Sequence, residues 1–142
     1  MKLSARNVLS GTVTKVTKGA VNAEVHLVLK NGARIVSVIT NESAEELGLK
    51  EGKSASAIIK ATWVILGKDL HSAKLSARNI LCGTVAEVTK GAVNSEVTLT
   101  LEGGTALTAI ITNESAQSLR LKQGEHACAA VKASSVIVGV ED

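Results

Sequence analysis

The sequence predicts an all-β protein built from two copies of one small unit, each with a single short helix. The 142-residue chain reads "KLSARN" at Lys2–Asn7 and again at Lys74–Asn79. At a constant offset of 72, without a gap, about 39 of roughly 70 aligned pairs are identical, far above chance for an internal repeat. Apolar and polar residues alternate through each unit, the period of a half-buried strand, and helical spacing occurs in only one short segment of each.

The strands of the first unit follow "SARN" in order. Val8–Val16 ("VLSGTVTKV") is rich in β-branched residues and predicts a first strand. Apolar residues then alternate through "VNAEVHLVL" at 21–29, and the pattern resumes at Ile35–Ile39. Between these runs, Asn31-Gly32 predicts a hairpin turn, because this dipeptide tolerates the positive φ angles of tight turns. The second unit has Gly103-Gly104 there, which is also typical of turns.

The one predicted helix lies in "TNESAEELGLKEG". Ser43 is predicted to cap Ala44–Leu47, with Glu46 completing an S-x-x-E capping box and Gly48 ending the helix. One or two short strands in "ASAIIKATWVILG" close the unit. This order of elements fits a five-stranded Greek-key barrel of the OB type, and therefore tandem OB-like barrels for the whole chain. A sandwich and an SH3-like barrel are the alternatives.

The repeat predicts two domains, 1–68 and 74–142, joined by a linker at 69–73. A domain near 65 residues buries only about 60% of its unfolded surface and is marginal alone. Scaffolds of this size usually depend on disulfides, metal ions or oligomerisation. The chain has no Phe, Tyr or Pro and a single Trp, so bulky core residues are scarce. We therefore expect oligomerisation, with subunits that share a core.

The cysteines are not part of the repeat, because Cys82 and Cys128 align with Ser10 and Ser56. This argues against a disulfide framework and for a reducing compartment. The N-terminus has no apolar segment of the signal-peptide kind, and no run approaches the length of a membrane span. We therefore expect a soluble, cytoplasmic protein.

The histidines and carboxylates do not form a catalytic pattern. His26 aligns with Thr98, His126 aligns with Ser54, and His71 falls in the linker. No His/Cys/Asp cluster is duplicated, so we expect no direct metal-cation ligands, no nucleophile–base pair and no enzymatic activity. Two carboxylate positions do repeat, and we interpret them as solvated or capping groups rather than as a catalytic pair. They are Glu24/Glu96 and Glu42/Glu114.

A set of hydrogen-bond donors does repeat in register. It consists of a serine and an arginine in "SARN", a threonine and a serine in "TNES", and a lysine in the last apolar run. Cations and hydroxyls together are what a small oxyanion requires, because charge-assisted donors form the strong hydrogen bonds. The "TKGAVN" loop could add backbone N–H groups through its glycine. A formal net charge of +3 favours small anions or nucleic acid without deciding between them.

Each donor also has a structural interpretation. Ser43 can be simply a helix cap, and Lys60 can extend from an apolar strand to the surface. Arg6 can pair with Glu24 or another carboxylate. These alternatives stay open at the level of sequence. The donors are retained in both copies while Trp63 becomes Ser135, which favours a shared task.

Four motifs together, "SARN", "KGAV", "TNES" and "IIKAT" ("VKAS" in the second copy), resemble the molbindin or Mop-domain family, and the resemblance covers essentially the whole chain. It implies a di-domain, cytoplasmic protein that binds molybdate or tungstate without catalysis, has no cofactor, and assembles as a homotrimer of six such domains. It also implies two classes of site. The class between domains would use Ser4, Arg6, Thr40, Ser43, Lys60 and Ala61 with Ser76, Arg78, Thr112, Ser115, Lys132 and Ala133. The class on the threefold axis would use Gly19, Ala20, Val21 and Asn22 with Gly91, Ala92, Val93 and Asn94.

Two other functions are weighed against storage of an oxyanion. A nucleic-acid-binding OB module would stack bases on aromatic side chains, and only Trp63 is available. A regulatory oxyanion-sensing module would need a partner chain, because neither a helix-turn-helix nor a G-x-x-x-x-G-K-[ST] phosphate loop is present. The sequence therefore favours an oxyanion-binding protein that acts in storage or homeostasis, with no nucleic-acid or membrane partner.

Overall fold

The computed structural model describes residues 1–70 and 73–141. His71 and Ser72 of the predicted linker, and Asp142 at the end of the predicted second domain, lie outside the described residues. The first half contains β1 (Asn7–Lys18), β2 (Asn22–Leu29), β3 (Arg34–Thr40), α1 (Asn41–Glu46), β4 (Ser54–Ile59), a 3₁₀ turn (Ala61–Trp63) and β5 (Ile65–Gly67). The second half contains β6 (Asn79–Lys90), β7 (Asn94–Leu101), β8 (Ala106–Thr112), α2 (Asn113–Ser118), β9 (His126–Val131), a 3₁₀ turn (Ala133–Ser135) and β10 (Ile137–Gly139).

The predicted fold class is confirmed: two five-stranded antiparallel sheets, each with one short helix. Alternation gives the strands their two faces. In β2, for example, Ala23, Val25, Leu27 and Leu29 are buried, whereas the residues between them are partly exposed. The hairpin predicted around Asn31-Gly32 joins β2 to β3. In the described part of the chain, no helix is long and apolar enough to cross a membrane.

Each sheet takes its fifth strand from the opposite half of the chain. The strand orders are β10-β4-β1-β2-β3 and β5-β9-β6-β7-β8. Ile137–Gly139 of β10 therefore pairs with β4, and Ile65–Gly67 of β5 pairs with β9. The division into 1–68 and 74–142 stays a prediction about the repeat, whereas the sheets themselves are composite.

The strand exchange merges the cores of the two halves. One hydrophobic cluster contains buried residues from both sheets, including Leu66 of β5 and Val138 of β10. Apolar burial contributes roughly 25 cal/mol per Å², so a larger joint core offsets the small size of each unit. The shared core that the sequence predicts between subunits is thus already present between the halves of one chain.

The helix begins earlier than predicted. Thr40 is the N-cap of α1, and its side-chain oxygen accepts a hydrogen bond from the Ser43 amide at 3.0 Å. The predicted capping box, with Ser43 as cap and Glu46 as its partner, is therefore wrong. The reason is that Thr40 ends β3 with extended φ/ψ angles of −71° and 151°, the backbone conformation of an N-cap. Ser43 lies in the first turn instead.

The expectation of no disulfide is wrong for the second half. Cys82 of β6 and Cys128 of β9 are bonded to each other, with their Cα atoms 3.9 Å apart. They lie directly opposite in the register of these two antiparallel strands. Because 46 residues separate them in sequence, the pairing depends on a strand register that the aligned repeat does not reveal.

Candidate functional site

The asparagine that ends each "SARN" motif joins the two halves. The Asn7 side chain donates to the Thr108 carbonyl oxygen at 2.8 Å and accepts from the Thr108 amide at 2.8 Å. In the symmetric position, Asn79 donates to the Val36 carbonyl oxygen at 2.8 Å and accepts from the Val36 amide at 2.7 Å. Both asparagines are buried. These bonds fix the start of each repeat against β3 or β8 of the opposite half.

The arginine of each motif also reaches the opposite half. Arg6 donates two hydrogen bonds of 2.7 Å to the Glu96 carboxylate. Arg78 does the same to Glu24 at 3.1 and 3.2 Å, and Glu24 also contacts His26 at 2.7 Å. The open question of the Arg6 partner is thereby answered, and Glu24 and Glu96 are partly solvated, as expected, but each also pairs with an arginine. They are paired carboxylates at the boundary between halves.

These pairs keep both carboxylates ionised. Hydrogen bonding to Arg6, followed by its charge, lowers the pKa of Glu96 below its ordinary value. Hydrogen bonds from Arg78 and then His26 lower the pKa of Glu24 in the same way. The Arg6 side chain remains 49% exposed and uses two of its five N–H donors on Glu96. It therefore retains donors for a ligand.

Four of the predicted site residues of the first half lie around a small cavity. Ser4, Arg6, Lys60 and Ala61 line a space of about 90 Å³ that Ile110 of β8 closes from the opposite half. Ala5 and Thr62 complete its wall. This volume matches a compact ion. It lies between the halves because the 3₁₀ turn that follows Lys60 packs against β8.

The hydroxyl pair beside this cavity comes from the other half. Thr112 and Ser115 line an adjoining cleft, and Thr62 and Ile110 border both spaces. The Thr112 hydroxyl donates to the Ser115 hydroxyl at 2.8 Å, and the Ser115 amide donates back to Thr112 at 3.1 Å. The structure thus brings Ser4, Arg6, Lys60 and Ala61 next to Thr112 and Ser115. It does not bring them next to Thr40 and Ser43 of their own half.

The equivalent residues of the second half are likewise placed beside the hydroxyl pair of the opposite half. The second 3₁₀ turn, which begins after Lys132, packs against β3, the strand that ends at Thr40. Thr40 and Ser43 repeat the hydroxyl contact at 2.9 Å. Ser76, Arg78, Lys132 and Ala133 are therefore the second-half donors that belong with Thr40 and Ser43.

Lys60 lies at the surface, as the structural interpretation of its sequence position predicts. Its ammonium nitrogen is 5.7 Å from the centroid of the Trp63 ring, a cation–π contact that holds the side chain beside the cavity. Lys132 has Ser135 in place of that ring. The Lys60 side chain is therefore held by a ring contact that Ser135 cannot provide to Lys132.

The residues assigned to the threefold class lie in the turns between β1 and β2 and between β6 and β7, and Asn22 and Asn94 are the first residues of β2 and β7. Each turn projects a highly exposed valine, Val21 at 70% and Val93 at 72%. The Gly19 amide donates to the Asn22 carbonyl at 2.7 Å, and the Gly91 amide donates to Asn94 at 2.8 Å. The two glycine amides thus close their own turns, and the assignment of these loops to a threefold site stays a prediction that would use their other backbone N–H groups.

Sequence reasoning missed the residues that connect the halves. Asn7 and Asn79 were visible as part of the repeated hexapeptide, but a buried amide facing the opposite half leaves no local pattern. Glu24 and Glu96 repeat in register as well. The sequence offered a carboxylate as a partner of Arg6, but no local pattern indicates that each arginine reaches the carboxylate of the opposite half.

A model of one protein family matches both halves. The TOBE domain matches residues 3–66 and again residues 75–138. The chain is also similar to the molybdenum-pterin-binding protein MopA of Rhodobacter capsulatus, with 46% identity over 99% of this chain and 53% of that protein. It is 44% identical to the molybdenum transport protein ModE of Azotobacter vinelandii, over 99% of this chain and 52% of that protein. It thus spans about half the length of these curated relatives.

One solved structure matches from end to end. The cytoplasmic molybdate-binding protein ModG, crystallised with molybdate bound, is 52% identical, and the superposition covers 99% of this chain and 100% of that chain with a TM-score of 0.96. This agreement extends over both composite sheets and supports the OB-like architecture. The chain therefore belongs to the TOBE-domain family as a tandem pair, and the molbindin (Mop-domain) resemblance of its sequence is confirmed.

Proposed function

We propose that this protein binds molybdate at two equivalent sites between its halves and serves molybdate storage and homeostasis. The observation that carries the proposal is the composite donor set, in which Ser4, Arg6 and Lys60 of one half adjoin Thr112 and Ser115 of the other. Cationic and hydroxyl donors together suit a tetrahedral dianion. The similarity to ModG, a molybdate-binding protein, supports molybdate as the ligand.

The donor set does not discriminate between molybdate and tungstate, which share charge and shape, so the proposal includes both. Hydrogen phosphate carries a proton that needs an acceptor, and the Glu114 carboxylate, which lines the same cleft as Thr112 and Ser115, would offer one. Sulfate is smaller, so its rejection would depend on the fit of the cavity. The protein would bind the ion without catalysis and without a further cofactor, in the cytoplasm.

The oligomeric part of the proposal is a homotrimer. Exposed apolar side chains support it, since Val21, Val93 and Ile65 are 60–72% exposed. Val21 and Val93 lie in the turns assigned to the threefold axis, which would bury them and place their backbone around a second class of oxyanion site. Native mass spectrometry with and without molybdate would measure the subunit number and the bound ions together.

Equilibrium dialysis against molybdate, with sulfate in excess, tests the main proposal. The double variant Ser4→Ala/Lys60→Met should remove one of the two equivalent sites of each chain and leave the other. Lys15→Glu is the matched control, because Lys15 is an exposed lysine of β1 whose counterpart is already Glu87. Retention of no oxyanion by the unaltered protein, or equal binding by the double variant and the control, would contradict the proposal.

A second candidate function is regulation through a partner. The match to ModE proteins, named as transcriptional regulators in several bacteria, covers about half of their length and favours it. In that role the molybdate site would act through another chain, whereas this chain would not itself contact nucleic acid. Trp63 is the one aromatic residue, and its neighbour Lys60 already occupies its ring. A gel shift with single-stranded and duplex DNA at low salt, with and without molybdate, would detect direct binding.

A further inference from the structure

We infer that the second half contains a redox-gated site for a soft metal ion of the Zn²⁺ class, formed by Cys82, His126 and Cys128. The ligand atoms of these three residues lie within 4.8 Å of one another. The sequence prediction of no cation ligands rested on duplicated clusters, so a cluster confined to one half escaped it. This site is separate from the oxyanion cavity, which none of the three residues lines.

Strand geometry creates the cluster. Cys82 and Cys128 face each other across β6 and β9, and His126 is two residues before Cys128 on β9. Residues two apart on a strand point to the same face, so the imidazole and both sulfurs share one side of the sheet. Two thiolates and an imidazole are a ligand set typical of zinc.

Burial and charge suit a metal thiolate. Cys128 has no exposed surface, Cys82 is partly exposed, and His126 is exposed. An ion would therefore enter from the side of His126 and of the open cleft beside Cys82. Zn²⁺ with two thiolates has no net charge, which lowers the cost of placing the ion against a buried sulfur. The neighbouring Glu125 carboxylate is already paired with Lys68 at 2.8 Å.

The disulfide is the alternative state of the same two sulfurs. Two equivalents of a small thiol, RSH, reduce it to two cysteine thiols and form RS–SR. Zn²⁺ then replaces the two thiol protons, which pass to solvent. Tetrahedral zinc separates its ligand atoms by roughly 3.5–3.8 Å, given Zn–S and Zn–N distances of about 2.3 and 2.0 Å. The sulfurs must therefore move apart on reduction while the imidazole approaches them.

The first half provides a control within the same molecule. Ser10, Ser56 and Ser54 stand at the three equivalent positions, with Ser10 opposite Ser56 in the same register and all three lining one cleft. The backbone thus assembles this trio in both halves. Only the second half has thiols and an imidazole at these three positions.

The experiment uses the full protein after reduction with a dithiol and anaerobic removal of the reductant. Zn²⁺ is added, excess is removed by gel filtration, and bound zinc is measured by atomic emission. We expect one zinc per chain in the reduced protein and none in the oxidised protein. Co²⁺ in place of Zn²⁺ should give a thiolate-to-cobalt charge-transfer band.

The variants restore first-half residues, which the fold already accepts. Cys82→Ser or Cys128→Ser should abolish zinc retention, and His126→Ser should weaken it by at least about tenfold, since even outer-shell losses cost 10–100-fold. His26→Thr, the second-half residue at another histidine position, should have no effect. The triple variant Ser10→Cys/Ser54→His/Ser56→Cys should retain two zinc ions per chain.

Three results would overturn the inference. Reduced protein that retains no zinc would mean that the sulfurs serve only as a disulfide. Zinc retention unchanged by both cysteine variants would indicate adventitious surface binding. Unchanged affinity in His126→Ser would exclude the three-ligand site. Circular dichroism of each variant separates these outcomes from loss of fold.

Discussion

Replacement of Asn7 by alanine should lower the free energy of unfolding by about 1.5–4.5 kcal/mol. The Asn7 side chain makes three hydrogen bonds, two with the Thr108 backbone and one to the Ile59 carbonyl at 3.2 Å. Each such bond contributes about 0.5–1.5 kcal/mol net, and a buried partner left unsatisfied adds to the loss. Asn7 is only 2% exposed, so water cannot replace the amide. The loss would therefore be large for a single polar residue.

Asn79 provides a graded comparison, because its side chain makes two bonds, both with the Val36 backbone. Asn79→Ala should cost about 1–3 kcal/mol by the same bond energies, less than Asn7→Ala. Thr12→Ala, at an exposed position of β1, is the control and should change stability little. Urea unfolding of all three variants at one fixed protein concentration measures the differences, since subunit association makes stability depend on concentration.

The reasoning would be refuted by an Asn7→Ala loss below about 0.5 kcal/mol, the lower limit for a single net hydrogen bond. It would also be refuted if Asn79→Ala cost clearly more than Asn7→Ala. Either result would mean that the asparagine side-chain hydrogen bonds between the halves do not stabilise the fold, and that the repeated asparagine serves some other contact.

Three further predictions concern the repeat. Arg120 has a φ of 53° at the position where Gly48 has a φ of 63°, a left-handed backbone conformation that favours glycine. Arg120→Gly should therefore stabilise the protein by about 1 kcal/mol, and Gly48→Arg should destabilise it by a similar amount. Thermal unfolding of both variants measures the effect. Glu96→Gln should raise molybdate affinity in dialysis, because it removes a negative charge that competes for Arg6; lower affinity would mean that Glu96 orients the guanidinium. The pKa values of Glu24 and Glu96 are lower in the folded state than their ordinary value of 4.5. The stability that they contribute should therefore be present above pH 4.5 and be lost as the pH falls through the folded pKa values. Glu96→Gln should reduce this pH dependence of the urea midpoint.

Local patterns of the sequence predicted the parts of the fold that depend on neighbouring residues. Alternation through β2 and the turn at Asn31-Gly32 identify a hairpin, because both strands and their turn are contiguous. The helix was predicted, but its predicted start is three residues too late, because Ser43 and Thr40 are both good N-caps and only the end of β3 decides between them. The donor residues were recognised by their repetition, which requires no knowledge of which half they face.

The strand exchange could not be predicted, for a physical reason. Ile65–Gly67 ("ILG") and Ile137–Gly139 ("IVG") differ by one conservative substitution, so either strand could pair with β4 or with β9. Nothing in their composition distinguishes the two arrangements. The choice depends on the length and path of the chain between the halves, and therefore on tertiary structure. The composite nature of the proposed oxyanion cavity follows from the same exchange and could not be predicted for the same reason.

The exchange explains which positions of the repeat are free to diverge. Because Asn7 contacts β8 and Asn79 contacts β3, each "SARN" motif faces a surface of the other copy, and both contacts have the same geometry. A change in one motif must therefore fit an opposite half that has not changed with it. Positions outside the contacts between the halves bear no such constraint. Cys82 and Cys128 lie outside the asparagine contacts and outside the proposed oxyanion cavity, so a new chemistry could be introduced there in one half without disturbing either.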